Sequence, residues 1–244
     1  MIFLKQAFRS LQKNKLFSAL NIIGFAIGFT VCLIIALYVY RENSVNSFFP
    51  NAERTFRLRN ANKNDALFDV AIAPILKEQF PEIKDIATMV YVADDDFSVT
   101  VKVGDKFMVV RDIISANNNF FDLTGTDILL SSTEKPFADK KSVVLSKSAA
   151  TKLFGHLDVL GEPVNFFGID LTVSAIADDI PSNATFGADI YLNDEYTEIG
   201  LVQNCKNSDD CYLTREIYFS VLEGTDVDAL TQKMNANFPK NRTE

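Results

Sequence analysis

The strongest hydrophobic pattern in the chain is the uncharged run of 25 residues from Leu16 to Tyr40. As a helix this run would be about 37 Å long, which exceeds the roughly 30 Å thickness of a bilayer hydrocarbon core. The run ends in Tyr38 and Tyr40, which suit the membrane interface, whereas a signal-peptide cleavage site needs small residues. The flanking sequence offers no apolar elements that could enclose the helix in a soluble core. The pattern predicts an uncleaved transmembrane helix over residues 16–40.

Residues 1–15 repeat apolar and basic positions with helical spacing. One face carries Leu4, Phe8 and Leu11, and Lys5, Arg9 and Lys13 recur beside it. Such a helix lies in the membrane interface with its apolar side towards the lipid and its basic side towards anionic headgroups. We therefore predict a cytoplasmic interfacial amphipathic helix over residues 1–15. The alternative is a basic flank that only sets the topology of the next helix.

Two glycines lie one helical turn apart inside the apolar run. Gly24 and Gly28 in the segment GFAIG share one face, and Asn21 and Ser18 extend a small, polar stripe along it. Small residues at this spacing let a second membrane helix approach closely. The alternative is that these glycines only reflect the high glycine content of membrane helices. We predict that Gly24 and Gly28 form a helix-packing face.

The clearest pattern after residue 42 is a β-hairpin. Every second residue from Phe97 to Val103 is apolar, Gly104 and Asp105 follow, and a second apolar strand returns. Strict alternation on both sides of a two-residue glycine turn is typical of a hairpin.

The rest of this region interleaves short strands and helices without a strict βαβ rhythm. The patterns predict strands within 54–60, 86–92, 142–146, 169–177 and 215–221. They predict one helix between Pro74 and Pro81 and another in NNNFFDL, which an asparagine would cap. Two further helices are predicted, one from the N-cap Ser146 to Gly155 and one after a Thr225–Asp228 capping box. The fold class expected is therefore α+β, with mixed sheets and short helices, preceded by one transmembrane helix.

The charge is divided between a basic start and an acidic remainder. Residues 1–41 contain five basic and no acidic side chains and so carry +5. Because the net charge of the whole chain is −8, the remainder carries −13. Basic residues favour the cytoplasmic side, which places the N-terminus in the cytoplasm and residues 42–244 outside it, in the periplasm of a diderm bacterium. The acidic remainder excludes nucleic acid as a partner, because phosphate neutralisation needs lysine and arginine.

The sequence shows none of the patterns that carry common enzyme chemistry. It contains no GxxxxGK[ST], GxSxG or HExxH motif, and its single histidine, His156, follows a helix-ending glycine. The run Asp94–Asp95–Asp96 consists of calcium-type ligands, but it lacks the spacing of a calcium loop, so a solvated turn is the better interpretation. We expect no catalytic residues, no cofactor and no metal site.

Two cysteines, Cys205 and Cys211, are separated by five residues in the polar segment CKNSDDC. In an oxidising compartment they can form a small-loop disulfide, whereas zinc would need more cysteine or histidine ligands nearby. The sequence predicts a Cys205–Cys211 disulfide; the alternative is a pair of free thiols.

Several segments together resemble the N-terminal part of MacB/FtsX-like ABC transporter permeases. These are FLKQAFRSLQKNKLFSALNIIGFAIGF, FFPNAERTFRL, ANNNFFDL, KSVVLSKSAATKLFG and IADDIPSNATF, in this order. The resemblance implies a cytoplasmic helix, a first membrane helix, a periplasmic core domain over 42–244 that has room for a smaller subdomain, and three further membrane helices. The chain ends before such helices, so we expect a truncated permease. Its ATPase would be a separate chain.

The first functional hypothesis is therefore the permease subunit of an ABC transporter in the bacterial inner membrane. Its external domain would couple ATP-driven motion of membrane helices to export or to envelope partners. The expected partners are an ABC ATPase, other permease helices or a second permease copy, a periplasmic or envelope protein, and membrane lipid. The alternative is a single-span anchored sensor or adaptor with a binding domain outside. A membrane-anchored enzyme ranks third, because no catalytic constellation is present.

Overall fold

The computed structural model describes residues 15–60, 66–69, 71–94, 96–166, 168–181, 183–195 and 214–238. It divides the chain into two compact units, Met1–Ser47 and Phe48–Glu244. The predicted membrane span (16–40) and periplasmic domain (42–244) are defined by their positions relative to a membrane. Their bounds therefore stay predictions. The interfacial helix predicted for residues 1–15 lies outside the described residues except for its last position.

The first unit contains one long helix, α1 (Lys15–Asn43), which encloses the whole apolar run. Its 29 residues are long and apolar enough to cross a membrane, and none of them is buried within the chain. The hydroxyl of Thr30 donates to the carbonyl of Ala26 at 2.8 Å, so this polar group is satisfied inside the helix.

The second unit is built on one mixed sheet. Among the described residues its strands are β1 (Thr55–Arg57), β2 (Leu67–Asp69), β3 (Ile83–Ala93), β4 (Val99–Val103), β5 (Lys106–Val110), β6 (Ile113–Ala116), β7 (Ile128–Ser131), β8 (Ser142–Ser146), β9 (Pro163–Phe166), β10 (Ile169–Ala177), β11 (Ile190–Asn193) and β12 (Thr214–Val221). Its helices are α2 (Ile72–Gln79), α3 (Asn119–Thr124), α4 (Lys147–Phe154) and α5 (Val227–Asn237), and a short 3-10 helix covers Ala52–Arg54.

The strand order is β1-β12-β3-β6-β11-β8-β10-β9-β4-β5, with β2 beside β12 and β7 beside β10. Strand β6 runs parallel to β11 and β8 runs parallel to β10, and the other pairs are antiparallel. The sheet is therefore mixed and the predicted α+β class is confirmed. Each strand and helix predicted after residue 42 is present, although β3 begins three residues earlier than expected.

The central strands are buried on both faces. In β8, Val143 and Leu145 pack into a core that α4 covers, whereas Val144 packs on the other face into a core with Phe120 and Phe121 of α3. A third core joins α2 and α5 to β3 and β12. Helices on both faces explain why the central strands read as continuous apolar runs instead of alternating patterns.

The asparagine cap predicted for NNNFFDL is wrong. Asn118 occupies the position before α3 but has helical angles and makes no side-chain cap bond. Its amide instead accepts from the N–H of Phe137 at 2.8 Å and donates to the carbonyl of the same residue at 3.2 Å. Asn117 and Asn119 likewise donate to the carbonyl of Ile86 in β3. The three asparagines therefore join separate elements, which a local sequence pattern could not reveal.

The predicted Thr225–Asp228 capping box is also wrong, because the helix cap lies one residue later than predicted. Asp226 is the N-cap of α5, and its carboxylate accepts from the N–H of Ala229 at 3.0 Å. The Thr225 hydroxyl is already used, because it donates to the carbonyl of Leu222 in the preceding turn. By contrast, Ser146 caps α4 as predicted.

Candidate functional site

Helix α1 presents one face of small and polar residues, which we call the glycine face: Asn21, Gly24, Gly28 and Cys32. At 100° per residue these positions fall within an arc of about 80°. A methyl group placed on either glycine would meet no atom of the described chain within 4 Å. Phe25 lies beside the face and helps to line a shallow groove along it. The groove is open to a second helix.

The end of the sheet in the second unit carries an acidic cleft of about 860 Å³. Asp94 follows β3, Asp112 precedes β6, Asp179 follows β10 and Asp189 precedes β11, and Asp96 also lines the cleft. The order and directions of the strands bring all of these strand ends to the same end of the sheet. Sequence reasoning missed this cleft, because only the strand order shows that the β3–β4, β5–β6 and β10–β11 loops meet.

The carboxylates of the cleft differ in their environments. Burial raises the pKa of Asp189, the Lys152 ammonium 3.8 Å away opposes that rise, and the negative charges of Asp112 and Asp179 add to it. Asp179 accepts from both the backbone N–H and the hydroxyl of Ser148, at 3.0 and 2.7 Å, at the start of α4. The cleft is thus electronegative, and Asp179 also stabilises the fold.

The predicted hairpin is confirmed as β4 and β5, with Gly104 at φ +57° in the turn. Strand β5 lies at the end of the strand order and exposes Phe107 and Val109. The ammonium of Lys102 lies 5.6 Å from the centre of the Phe107 ring. Among the described strands β5 pairs on one side only, and large apolar side chains on such an edge are typical of an interaction surface.

The relationship of the chain to known proteins is decided by a family model. The model of the MacB-like periplasmic core domain matches residues 18–237, which is most of the chain. The chain belongs to this family. No curated protein matches it.

Solved structures show that the MacB-like fold extends over most of the chain. A domain of a protein assigned as a permease from Porphyromonas gingivalis is 18% identical, with a TM-score of 0.63, over 77% of this chain and 84% of that one. The periplasmic region of MacB from Actinobacillus actinomycetemcomitans is 16% identical, with a TM-score of 0.54, over 75% and 79%. At this identity the likeness establishes the fold. Family membership supports a membrane-bound transporter permease subunit over an enzyme.

The structure describes some of the site residues predicted for this MacB-like chain and not others. Gly24 and Gly28 share the glycine face as expected, but no contact among the described residues tests their packing against a second helix, so their packing role stays a prediction. Cys205 and Cys211 lie outside the described residues. His156 is exposed and directly follows Gly155, which ends α4.

The aspartate run behaves mainly as a turn. The carboxylate of Asp94 accepts from the N–H groups of Asp96 and Phe97 at 3.0 and 3.1 Å, which closes the loop before β4. Asp95 lies outside the described residues. Within the described part of the chain, no group of three or more histidine, cysteine, aspartate or glutamate side chains has the arrangement of a metal site.

Proposed function

We propose that this chain is the first membrane helix and external domain of the permease subunit of an ABC transporter. Helix α1 spans the bacterial inner membrane with its N-terminus in the cytoplasm, and residues 42–244 lie in the periplasm. The observation that carries the proposal is the family match over residues 18–237, which includes both most of the apolar helix and the sheet domain.

In this proposal the ATPase is a separate chain, and the permease converts its movements into work outside the membrane. The external domain couples ATP-driven motion of the membrane helices to substrate export or to a periplasmic or envelope partner. The glycine face of α1 packs against other permease helices or a second permease copy. Association there rests on close backbone contact and on a hydrogen bond from Asn21, since lipid supplies no hydrophobic drive between helices.

The direct test purifies the natural gene product from native membranes in mild detergent. We expect a protein with an intact ATP-binding loop to co-purify, and the complex to hydrolyse ATP. Purification of the chain alone, without ATPase activity, would contradict the permease proposal and would favour the anchored sensor or adaptor.

The packing role of the glycine face has its own test. Gly24→Leu and Gly28→Leu fill the groove, so we expect each to reduce recovery of the assembled complex while the external domain stays folded. Ala26→Leu is the matched control, because it adds a similar side chain on the opposite side of α1. Equal recovery of all three variants would rule out the packing face.

The proposed orientation is tested with spheroplasts. A protease added from outside should degrade residues 42–244 and leave an N-terminal tag intact. Intact cells, whose outer membrane excludes the protease, are the control. Protection of the domain in spheroplasts would place it on the cytoplasmic side.

A further inference from the structure

Residues 184–189 form one wall of the acidic cleft, and we call them the cleft loop. Backbone hydrogen bonds fix the end of this loop. The N–H of Asp189 donates to the carbonyl of Asp112 at 2.8 Å, and the N–H of Ser146 donates to the carbonyl of Asp189 at 2.9 Å. Phe186 is the only buried side chain among the six residues of the loop. Burial of this one ring therefore fixes the middle of the loop against the sheet.

In the described part of the chain, three aromatic rings pack on Phe186. The ring centre of Phe120 in α3 is 5.2 Å away, that of Phe49 is 5.7 Å away, and that of Tyr218 in β12 is 6.2 Å away. Aromatic pairs at these separations add stability beyond the area that they bury. Phe120 and Tyr218 belong to a helix and a strand, whereas Phe49 lies in the connection between α1 and β1. A displacement of this connection would therefore take one of the three rings away from Phe186.

A buried hydroxyl lies beside the same rings. Tyr191 of β11 and Tyr91 of β3 both pair with Ile114, so the two tyrosines share one face of the sheet, and Tyr91 lines the cleft. Phe120 packs on Tyr191 as well as on Phe186, with 5.9 Å between the ring centres of Phe120 and Tyr191. Tyr191 is fully buried, and among the described residues its hydroxyl has no hydrogen-bond partner.

This hydroxyl opposes the aromatic packing. An unpartnered buried hydroxyl destabilises the arrangement that buries it, because the group has lost its hydrogen bonds to water. Burial raises the pKa of Tyr191, and the negative charges of Asp179 and Asp189 in the cleft add to the rise. The hydroxyl is thus within electrostatic reach of the cleft. Outward movement of the cleft loop would let water reach the hydroxyl and hydrogen bond to it.

We propose that the cleft loop is a lid with a closed and an open position, and that the Phe49 ring controls the balance between them. The closed position is the one in the structure, with Phe186 packed on Phe49. When the connection after α1 withdraws Phe49, Phe186 leaves the core, the cleft deepens towards Tyr191, and the Tyr191 hydroxyl gains water. The proposal rests on contacts within the second unit and does not depend on the transporter assignment.

Native-state proteolysis tests the lid. Chymotrypsin binds an aromatic side chain in its specificity pocket, so it cuts after Phe186 only in molecules whose Phe186 ring has left the core. When opening and closing are fast, the rate of cleavage follows the open fraction. The full 244-residue chain is purified in mild detergent, and mass spectrometry of the early fragments distinguishes cleavage at Phe186 from cleavage elsewhere.

Replacement of Phe49 should favour the open position. We expect Phe49→Ala to accelerate cleavage at Phe186 about tenfold, and the milder Phe49→Leu about threefold. Phe137→Ala is the matched control, because Phe137 is buried in the same core but packs on Phe121, with 5.5 Å between ring centres. Its cleavage rate at Phe186 should change less than about twofold. Equal acceleration by Phe49→Ala and Phe137→Ala would indicate general loosening and would overturn the proposal, as would unchanged rates in both Phe49 variants.

Replacement of Tyr191 by phenylalanine should have the opposite effect. The change removes the unpartnered hydroxyl and keeps the ring, so the open position loses its hydrogen bond to water. We expect cleavage at Phe186 to slow about threefold. Tyr218→Phe is the control, because the Tyr218 hydroxyl already donates to Glu216 at 2.9 Å, and its removal should not slow cleavage. An unchanged or faster rate in Tyr191→Phe would contradict the two-position lid, and this variant decides the question if Phe49→Ala does not fold.

Discussion

Replacement of Gly125 by alanine offers a sharp test of the packing described for the second unit. Gly125 ends α3 in the left-handed conformation, with φ +69°. A Cβ atom there would lie 2.6 Å from Cδ and 2.8 Å from Cγ of Pro50. Gly155 ends α4 in the same conformation, with φ +86°, but its Cβ would meet no atom within 4 Å. The two glycines therefore differ mainly in one contact.

The difference sets the expected magnitude. Left-handed angles cost an alanine about 1–2 kcal/mol at either position. Carbon atoms in contact prefer separations of about 3.5–4.0 Å, so at Gly125 the proline ring or the helix end must move. Such overpacking adds about 1–3 kcal/mol. For a chain of this size the extra cost corresponds to a Tm lower by about 2–12 °C in Gly125→Ala than in Gly155→Ala.

The assay is thermal unfolding in mild detergent, followed by near-ultraviolet circular dichroism of the tyrosine and phenylalanine residues. This signal reports side-chain packing in the sheet unit, whereas the far-ultraviolet signal also contains α1. Equal Tm values for the two alanine variants would refute the reasoning. The combination Gly125→Ala with Pro50→Ala should recover part of the loss, because it removes the ring carbons that the new methyl group meets.

Three further predictions concern single interactions. Ser146→Ala should lower the free energy of unfolding by about 1 kcal/mol, since an N–H at the start of α4 loses its acceptor, and an unchanged urea midpoint would contradict this. The hydrogen bond from Lys233 lowers the pKa of Glu82 below its ordinary 4.5, so this pair contributes stability above that pH and loses it as the pH falls through the lowered pKa. Lys233→Gln should therefore destabilise the protein at pH 7 but not at pH 2, and equal destabilisation at both would sink the idea. Thiol titration of the folded protein should detect fewer free thiols before reduction than after if Cys205 and Cys211 form the predicted disulfide; equal counts would exclude the disulfide.

The sequence was most informative where a residue type acts on its own neighbours. Gly104 in the hairpin turn, Ser146 before α4 and Gly155 after it each act within four residues, and each was placed correctly. The sequence was misleading at Asn118, whose side chain prefers the distant Phe137 backbone to the cap position beside it. Local patterns describe local bonds, and partners that are distant along the chain can displace them.

The candidate sites divide in the same way. Gly24 and Gly28 could be found by spacing alone, because a helix brings residues four apart onto one face. The acidic cleft could not, since Asp112 and Asp179 become neighbours only through the order and direction of β6, β11, β8 and β10. The place of β5 at the end of the described strand order likewise could not be found from the sequence, because no feature of the hairpin specifies it.

The position of β1 has a consequence for how the sheet responds to mechanical load. The chain enters β1 at Thr55, which is paired with Ser220, and it leaves β12 at Val221. Entry and exit thus lie at the same end of one antiparallel ladder. A pull that separates them loads the hydrogen bonds one at a time from that end, instead of sharing the force among all of them. With only three residues, β1 would detach first and lengthen the connection from α1, while the central strands stay intact.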